Sequence, residues 1–206
     1  MLFGIRLISL DENAIRYQEQ TRLLQQFAAE QKADALLRLA LLLDFPPIAD
    51  YESAMELLFR IWQQLKDDRA VIIGAYIGLA EMGNIPGKFH AQLPKCCADE
   101  KIKATGQYLL AMQAARQEKQ KQAIILLEKS IQQYANTVWP YFELAKFCPS
   151  RWAALTGCAH RNIQRCYKES EIEQMTLTEL IDPDRYINEI LGLEITESLY
   201  DEFFGL

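Results

Sequence analysis

Cys148, Cys158, His160 and Cys166 come nearest to a reactive or metal-binding set in this chain of 206 residues. Three thiolates and an imidazole can hold zinc as a Cys3His centre. The spacing argues against it. Cys158 and His160 stand two apart in what reads as one helix, which points them to different sides, and there is no paired Cys-x-x-Cys. A cysteine nucleophile activated by His90 or His160, the two histidines of the chain, is the other chemistry these types could perform. Their spacing favours neither over ordinary buried or surface side chains. For the adjacent Cys96 and Cys97, two thiols after a loop is the plain reading.

The remaining signatures of catalysis are missing from the sequence. It has no Gly-x-Ser-x-Gly elbow, no Gly-Lys-Ser/Thr phosphate loop, no Gly-x-Gly-x-x-Gly turn and no His-Glu-x-x-His. The expectation is a chain that is not an enzyme and takes no cofactor or metal. The alternative is an enzyme with an unfamiliar helical active site, in which Cys158 or His160 would be essential.

Charge is divided unevenly. The 22 Lys+Arg and 28 Asp+Glu give a net −6. Eleven of the acids follow Lys168, against Arg185 alone, so the last 38 residues carry −10 and the rest +4 (21 bases minus 17 acids). Nucleic acid is disfavoured as a partner, because phosphate contacts need clustered Lys and Arg. A basic protein is favoured. The acids Glu179, Asp182, Asp184, Glu189, Glu194, Glu197, Asp201 and Glu202, with Tyr186, Tyr200 and Phe203 as apolar anchors, are the candidate contacts. A solvated face on helices that cap the end of an array explains the same acids without a partner.

The opening MLFGIRLISL lacks the makeup of a secretory signal, since Arg6 breaks a very short apolar run. The longest apolar stretch, Ala70 to Ala80, is too short for a membrane span, which needs about 20 residues. Five cysteines at irregular spacing suit reduced thiols, so a cytoplasmic protein without a membrane partner is expected.

These groups need elements to position them, and the periodicity is helical throughout. Ser9-Leu10-Asp11-Glu12 has the form of a capping box for a first helix reaching about Glu30. The run ADALLRLALLL predicts a second, ended by Pro46-Pro47. Tyr51, Ala54, Met55, Leu58, Ile61, Trp62 and Leu65 share one helical face, with Asp50 as N-cap. After Pro149, Ser150 can cap a helix whose stripe is Trp152, Leu155, Ala159, Ile163, Cys166 and Tyr167. Thr176-Leu177-Thr178-Glu179 and Asp182-Pro183 mark further starts. Gly74 and Gly78, four apart, allow close packing of a helix.

The third of these helices has a later copy. Ala54, Leu57, Leu58 and Gln63-Gln64 meet Ala123, Leu126, Leu127 and Gln132-Gln133 at an offset of 69 residues (123 minus 54). Leu41 likewise falls on Leu110 and Ala75 on Leu144. The offset is close to twice 34, the period of a helix–turn–helix repeat. Over roughly residues 33–148 the chain resembles the tetratricopeptide repeat, with Leu110-Ala111, Ala114, Ala123 and Leu127 at its small and large positions. It departs from that pattern at the absent Trp-x-x-Leu-Gly, at Ile61 and Ser130, and in the copy broken by Pro86 and Pro94.

The resemblance implies antiparallel helical hairpins stacked as a short array, with a groove lined by first-helix residues such as Tyr76, Tyr108 and Tyr141. Packing between helices is the plain explanation of those tyrosines. The chain is expected to be one all-α domain: an N-terminal helix over 1–32, repeat-like hairpins over 33–148 and acidic C-terminal helices over 149–206. The expected function is non-catalytic protein binding, most specifically an acidic immunity protein that neutralises a basic toxin such as a nuclease. An adaptor or chaperone that takes a peptide segment fits the same features, and self-association is left open.

Overall fold

A computed structural model describes residues 33–44, 50–96 and 99–166. The expected helix over 9–30, Cys97 and everything after Cys166 lie outside the described residues.

Local sequence sets the helix ends. Helix α1 (Ala33–Asp44) stops ahead of Pro46. Helix α2 (Tyr51–Leu65) begins at Asp50, whose Oδ1 accepts from the Ser53 N–H at 3.1 Å. Hydrogen bonding from Ser53, by its side chain first and its N–H second, holds the Asp50 carboxyl below its ordinary value. The helix closes on Lys66 at φ 56°, and the Lys66 ammonium lies 5.1 Å from the Trp62 ring centre. Asp67 then caps α3 (Asp68–Met82) by accepting from the Arg69 N–H at 3.0 Å. Arg69 pairs with Asp67 at 2.7 Å and with Asp34 at 2.6 Å, which ties the start of α3 to α1. Gly83, at φ 71°, ends α3 in a left-handed cap that suits glycine.

The short α4 (Gly87–His90) and a 3-10 turn (Leu93–Lys95) follow. Next comes α5 (Glu100–Arg116), capped by Asp99 through the Ile102 N–H at 2.8 Å. Helices α6 (Gln120–Gln133) and α7 (Trp139–Phe147) come after it, then a second 3-10 turn (Pro149–Arg151) leading into α8 (Trp152–Cys166). No strand occurs among the described residues, so the fold is all-α there. No described helix is long and apolar enough to cross a membrane.

Helix starts keep the offset seen in the sequence: α2 begins at Tyr51 and α6 at Gln120, 69 residues on (120 minus 51). Burial keeps it too, with Ala54 and Ala123, and Leu58 and Leu127, all fully buried. Helices α5 and α6 are antiparallel, because Ser130 near the end of α6 donates its Oγ hydrogen to Ala104 O near the start of α5 at 2.8 Å. Helices α3 and α5 lie side by side and run the same way. A β-carbon on Gly106 would sit 3.7 Å from Ile72 near the two starts, and the Arg116 guanidinium donates to Leu79 O near the two ends.

Between them the chain returns through α4 and its 3-10 turn. That return fits closely because Gly74 and Gly78 carry no side chain: an added β-carbon would overlap the Phe89 ring at the first and Pro86 at the second.

One apolar cluster runs from Leu37 to Leu155, with Leu37, Leu58, Ile72, Ile73, Ile77, Phe89, Leu93, Leu109, Leu127 and Leu144 essentially inaccessible. Each such side chain contributes about 1.5–3 kcal/mol relative to exposure. Val138, Ala159 and Ile163 form a smaller cluster that seats α8. Asn162 ties α8 to the loop before α7, donating to Ala135 O at 2.8 Å and Thr137 O at 2.7 Å.

The beginning of α8 differs from the sequence reading. Ser150 lies inside the 3-10 turn rather than capping a helix, and Trp152 is 51% exposed rather than part of the buried stripe. The tighter 3-10 winding changes the phase of the side chains entering α8. Leu155, Ala159 and Ile163 take the core side as expected.

Candidate protein-binding face

The outer side of α6 is the surface that stands out. Ile125, Glu128, Lys129 and Gln132 occur at i, i+3, i+4 and i+7, the spacing of one helical stripe, and all four are exposed. The opposite side of the helix is fixed by Ala123, Leu127 and Ser130, all buried. Ile125 is 53% exposed, so an apolar side chain sits in the middle of a polar strip.

The strip has different neighbours on its two sides. On one, Arg151 reaches across from the second 3-10 turn to Glu128 at 2.8 Å, and Trp152 follows it directly. The hydrogen bond to the Glu128 carboxylate raises the pKa of Arg151. On the other side, Lys129, Gln132 and Gln133 face Glu100, Lys103 and Gln107 of α5 across a cleft of about 470 Å3. Glu100, Lys103 and Gln107 also follow helical spacing, at i, i+3 and i+7. The six lining side chains make no hydrogen bond, ion pair or ring contact to a described residue.

The sequence candidates are not among these residues. Glu179, Asp182, Asp184, Tyr186, Glu189, Glu194, Glu197, Tyr200, Asp201, Glu202 and Phe203 all lie outside the described residues. Tyr108 is 6% exposed and belongs to the main core, so it offers a ligand almost no surface. Tyr76 and Tyr141 are half-buried against the same core. The Tyr141 hydroxyl donates to Ala135 O at 3.2 Å, and burial raises its pKa.

Among the thiols, Cys158 is half-buried with its Sγ 3.0 Å from the Arg161 guanidinium, while His160 is exposed. Cys96 is buried, with its Sγ donating to Gln92 O at 3.6 Å, and Cys148 is half-buried. Among the described residues no three His, Cys, Asp or Glu side chains converge as metal ligands.

Sequence reasoning missed the cleft although its residues were in view. Gln132-Gln133 entered only as a mark of the internal copy. The signal was the run of polar residues at helical spacing on α5, which becomes a lining only when set opposite α6.

The chain matches no family model, no curated protein and no solved structure.

Proposed function

We propose that this chain is a non-catalytic protein-binding module built from helical hairpins of tetratricopeptide-like design. The observation that carries the proposal is the outer face of α6, which sets an exposed isoleucine between a Glu128–Arg151 pair on one side and an open polar cleft on the other, with the exposed Trp152 next to Arg151 in the chain. Tryptophan and arginine are the side chains that dominate binding energy at protein interfaces, and apolar anchors within a polar surround are the usual anatomy.

The most specific form of the proposal is an immunity protein that neutralises a basic toxin such as a nuclease. Its support is the −10 carried by residues 169–206, a charge suited to covering a phosphate-binding surface. Free thiols at Cys148 and Cys158 favour the cytoplasm as its setting. A second reading, an adaptor that takes a peptide segment, is favoured by the α5–α6 cleft.

Capture of partners from the native cell at low and high salt tests the proposal, with Ile125→Glu and Asp201→Asn/Glu202→Gln variants in parallel. The inhibitor form expects one basic protein in stoichiometric yield, weakened by salt and by the acidic-residue substitutions, whose nuclease activity the chain suppresses. Capture of a neutral or acidic protein, lost with Ile125→Glu and unchanged by the acidic-residue substitutions, supports the adaptor instead. Equal recovery with every variant overturns the role of the α6 face.

A further inference from the structure

The lysines of the described chain are mostly engaged. Lys88 donates to Met55 O at 3.1 Å and lies over the Phe59 and Phe89 rings at 5.3 and 5.2 Å. Lys101 covers Tyr134, Lys66 covers Trp62, and Lys146 pairs with Glu143 at 2.6 Å. Lys95 and Lys119 donate to neighbouring glutamines. By contrast Lys103 and Lys129, one on each wall of the cleft, have no such partner among the described residues.

The single carboxylate in the lining is Glu100, so two ammonium groups against one carboxylate leave the cleft with a net +1. Gln107, Gln132 and Gln133 add three amides, each with two donors and an acceptor. That inventory suits the main chain of an extended segment, whose N–H and C=O groups need both kinds of partner, with carboxylates positioned for the lysines.

We propose that the cleft between α5 and α6 docks an acidic segment of a protein partner, with its carboxylates paired to Lys103 and Lys129 and its main chain held by the three glutamines. This inference rests on the protein-binding reading and adds the chemistry of the bound segment. Ile125, one helical turn from Lys129, offers a contact for an apolar residue flanking the acids. A nucleic-acid strand is the other polyanion that two lysines could attract. It is less suited, because sequence-tolerant strand binding relies on free aromatic faces, none lines the cleft, and Tyr134 beyond Gln133 already carries the Lys101 ammonium at 5.7 Å.

The test uses the full chain and fluorescence anisotropy with four labelled probes. These are a short peptide rich in Asp and Glu with a central Leu, its Lys-for-acid counterpart, an oligothymidylate, and a peptide spelling residues 194–206. The acidic peptide should bind more tightly than the basic one and the oligothymidylate. Lys103→Glu with Lys129→Glu should weaken it about tenfold or more, while circular dichroism shows the helices intact. Glu100→Gln should tighten it.

Binding unaffected by the double substitution overturns the site, as does preference for the basic peptide or the oligonucleotide. Tighter binding of the 194–206 peptide than of the designed acidic one assigns the cleft to the chain itself and overturns the partner. Failure here, with partner capture still sensitive to Ile125→Glu, would remove the cleft and leave the protein-binding reading standing.

Discussion

Two segments each turn the chain back after a long first helix, and they do so differently. After α3 the return is made by α4 and a 3-10 turn, drawn in until Phe89 and Pro86 occupy the space that side chains at Gly74 and Gly78 would need. Of its cations, Lys88 sets its ammonium on the Met55 carbonyl and over two rings, and partial burial lowers its pKa. After α5 the return is a full helix, α6, held by Ala123 and Ser130 on its inner side. Its outer side is left mostly polar, its Lys129 has no partner among the described residues, and a cleft stays open beside it. The first segment commits Phe89, Leu93 and the Lys88 ammonium to the fold. The second leaves a set of groups available to something else.

The sharpest way to break this contrast is to overfill the closed segment. Gly78→Val places a side chain against Pro86 and the Asn84 carbonyl and should cost about 3 kcal/mol, as overpacking does. Urea unfolding should show a lower midpoint with an unchanged slope.

Smaller is the loss expected at the junction of α5 and α6. Ser130→Ala removes the hydroxyl that bonds Ala104 O and should destabilise by about 1–2 kcal/mol. The cleft should widen with it, so binding of the acidic peptide should weaken in the same variant.

Lys88 gives a pH-dependent difference. Its folded pKa lies below its unfolded value, so the unfolded chain holds more protons in the window between them and stability rises with pH there. The gain is lost again as pH falls through the folded pKa. Wild type should therefore gain on Lys88→Met as pH is raised through the alkaline range just below lysine's ordinary value. Parallel urea titrations should resolve a small effect, because the group is largely solvated.

The smallest stability effect belongs to the open segment. Lys103→Glu with Lys129→Glu should change stability by no more than about 0.5 kcal/mol, because neither side chain holds the fold together. A large loss in that variant would mean the two segments are not different in kind.

Much of the closed architecture could be read from residue order. Ala54, Met55, Leu58 and Ile61 are buried as their spacing requires, Asp50 caps α2, and Gly74 and Gly78 admit a close neighbour. These are local features, carried by propensity and period. The open face was not legible for two reasons. Whether Lys103 and Lys129 are paired depends on residues distant in sequence, and the exposure of Trp152 follows from a 3-10 turn that shifts helical phase ahead of it. The acidic residues singled out from composition lie beyond the described part of the chain.

The central claim is that the outer face of α6 meets a protein. The most direct measurement is photo-crosslinking in the native cell from a photoreactive amino acid at position 125, with position 82 as control. Ile125 and Met82 are similarly exposed, at 53% and 49%, but stand on different helices. The account predicts one protein adduct from position 125 and none from position 82, lost again when Arg151 and Trp152 are both changed to alanine. The same pattern of weak adducts from both positions, or none from 125, would contradict it.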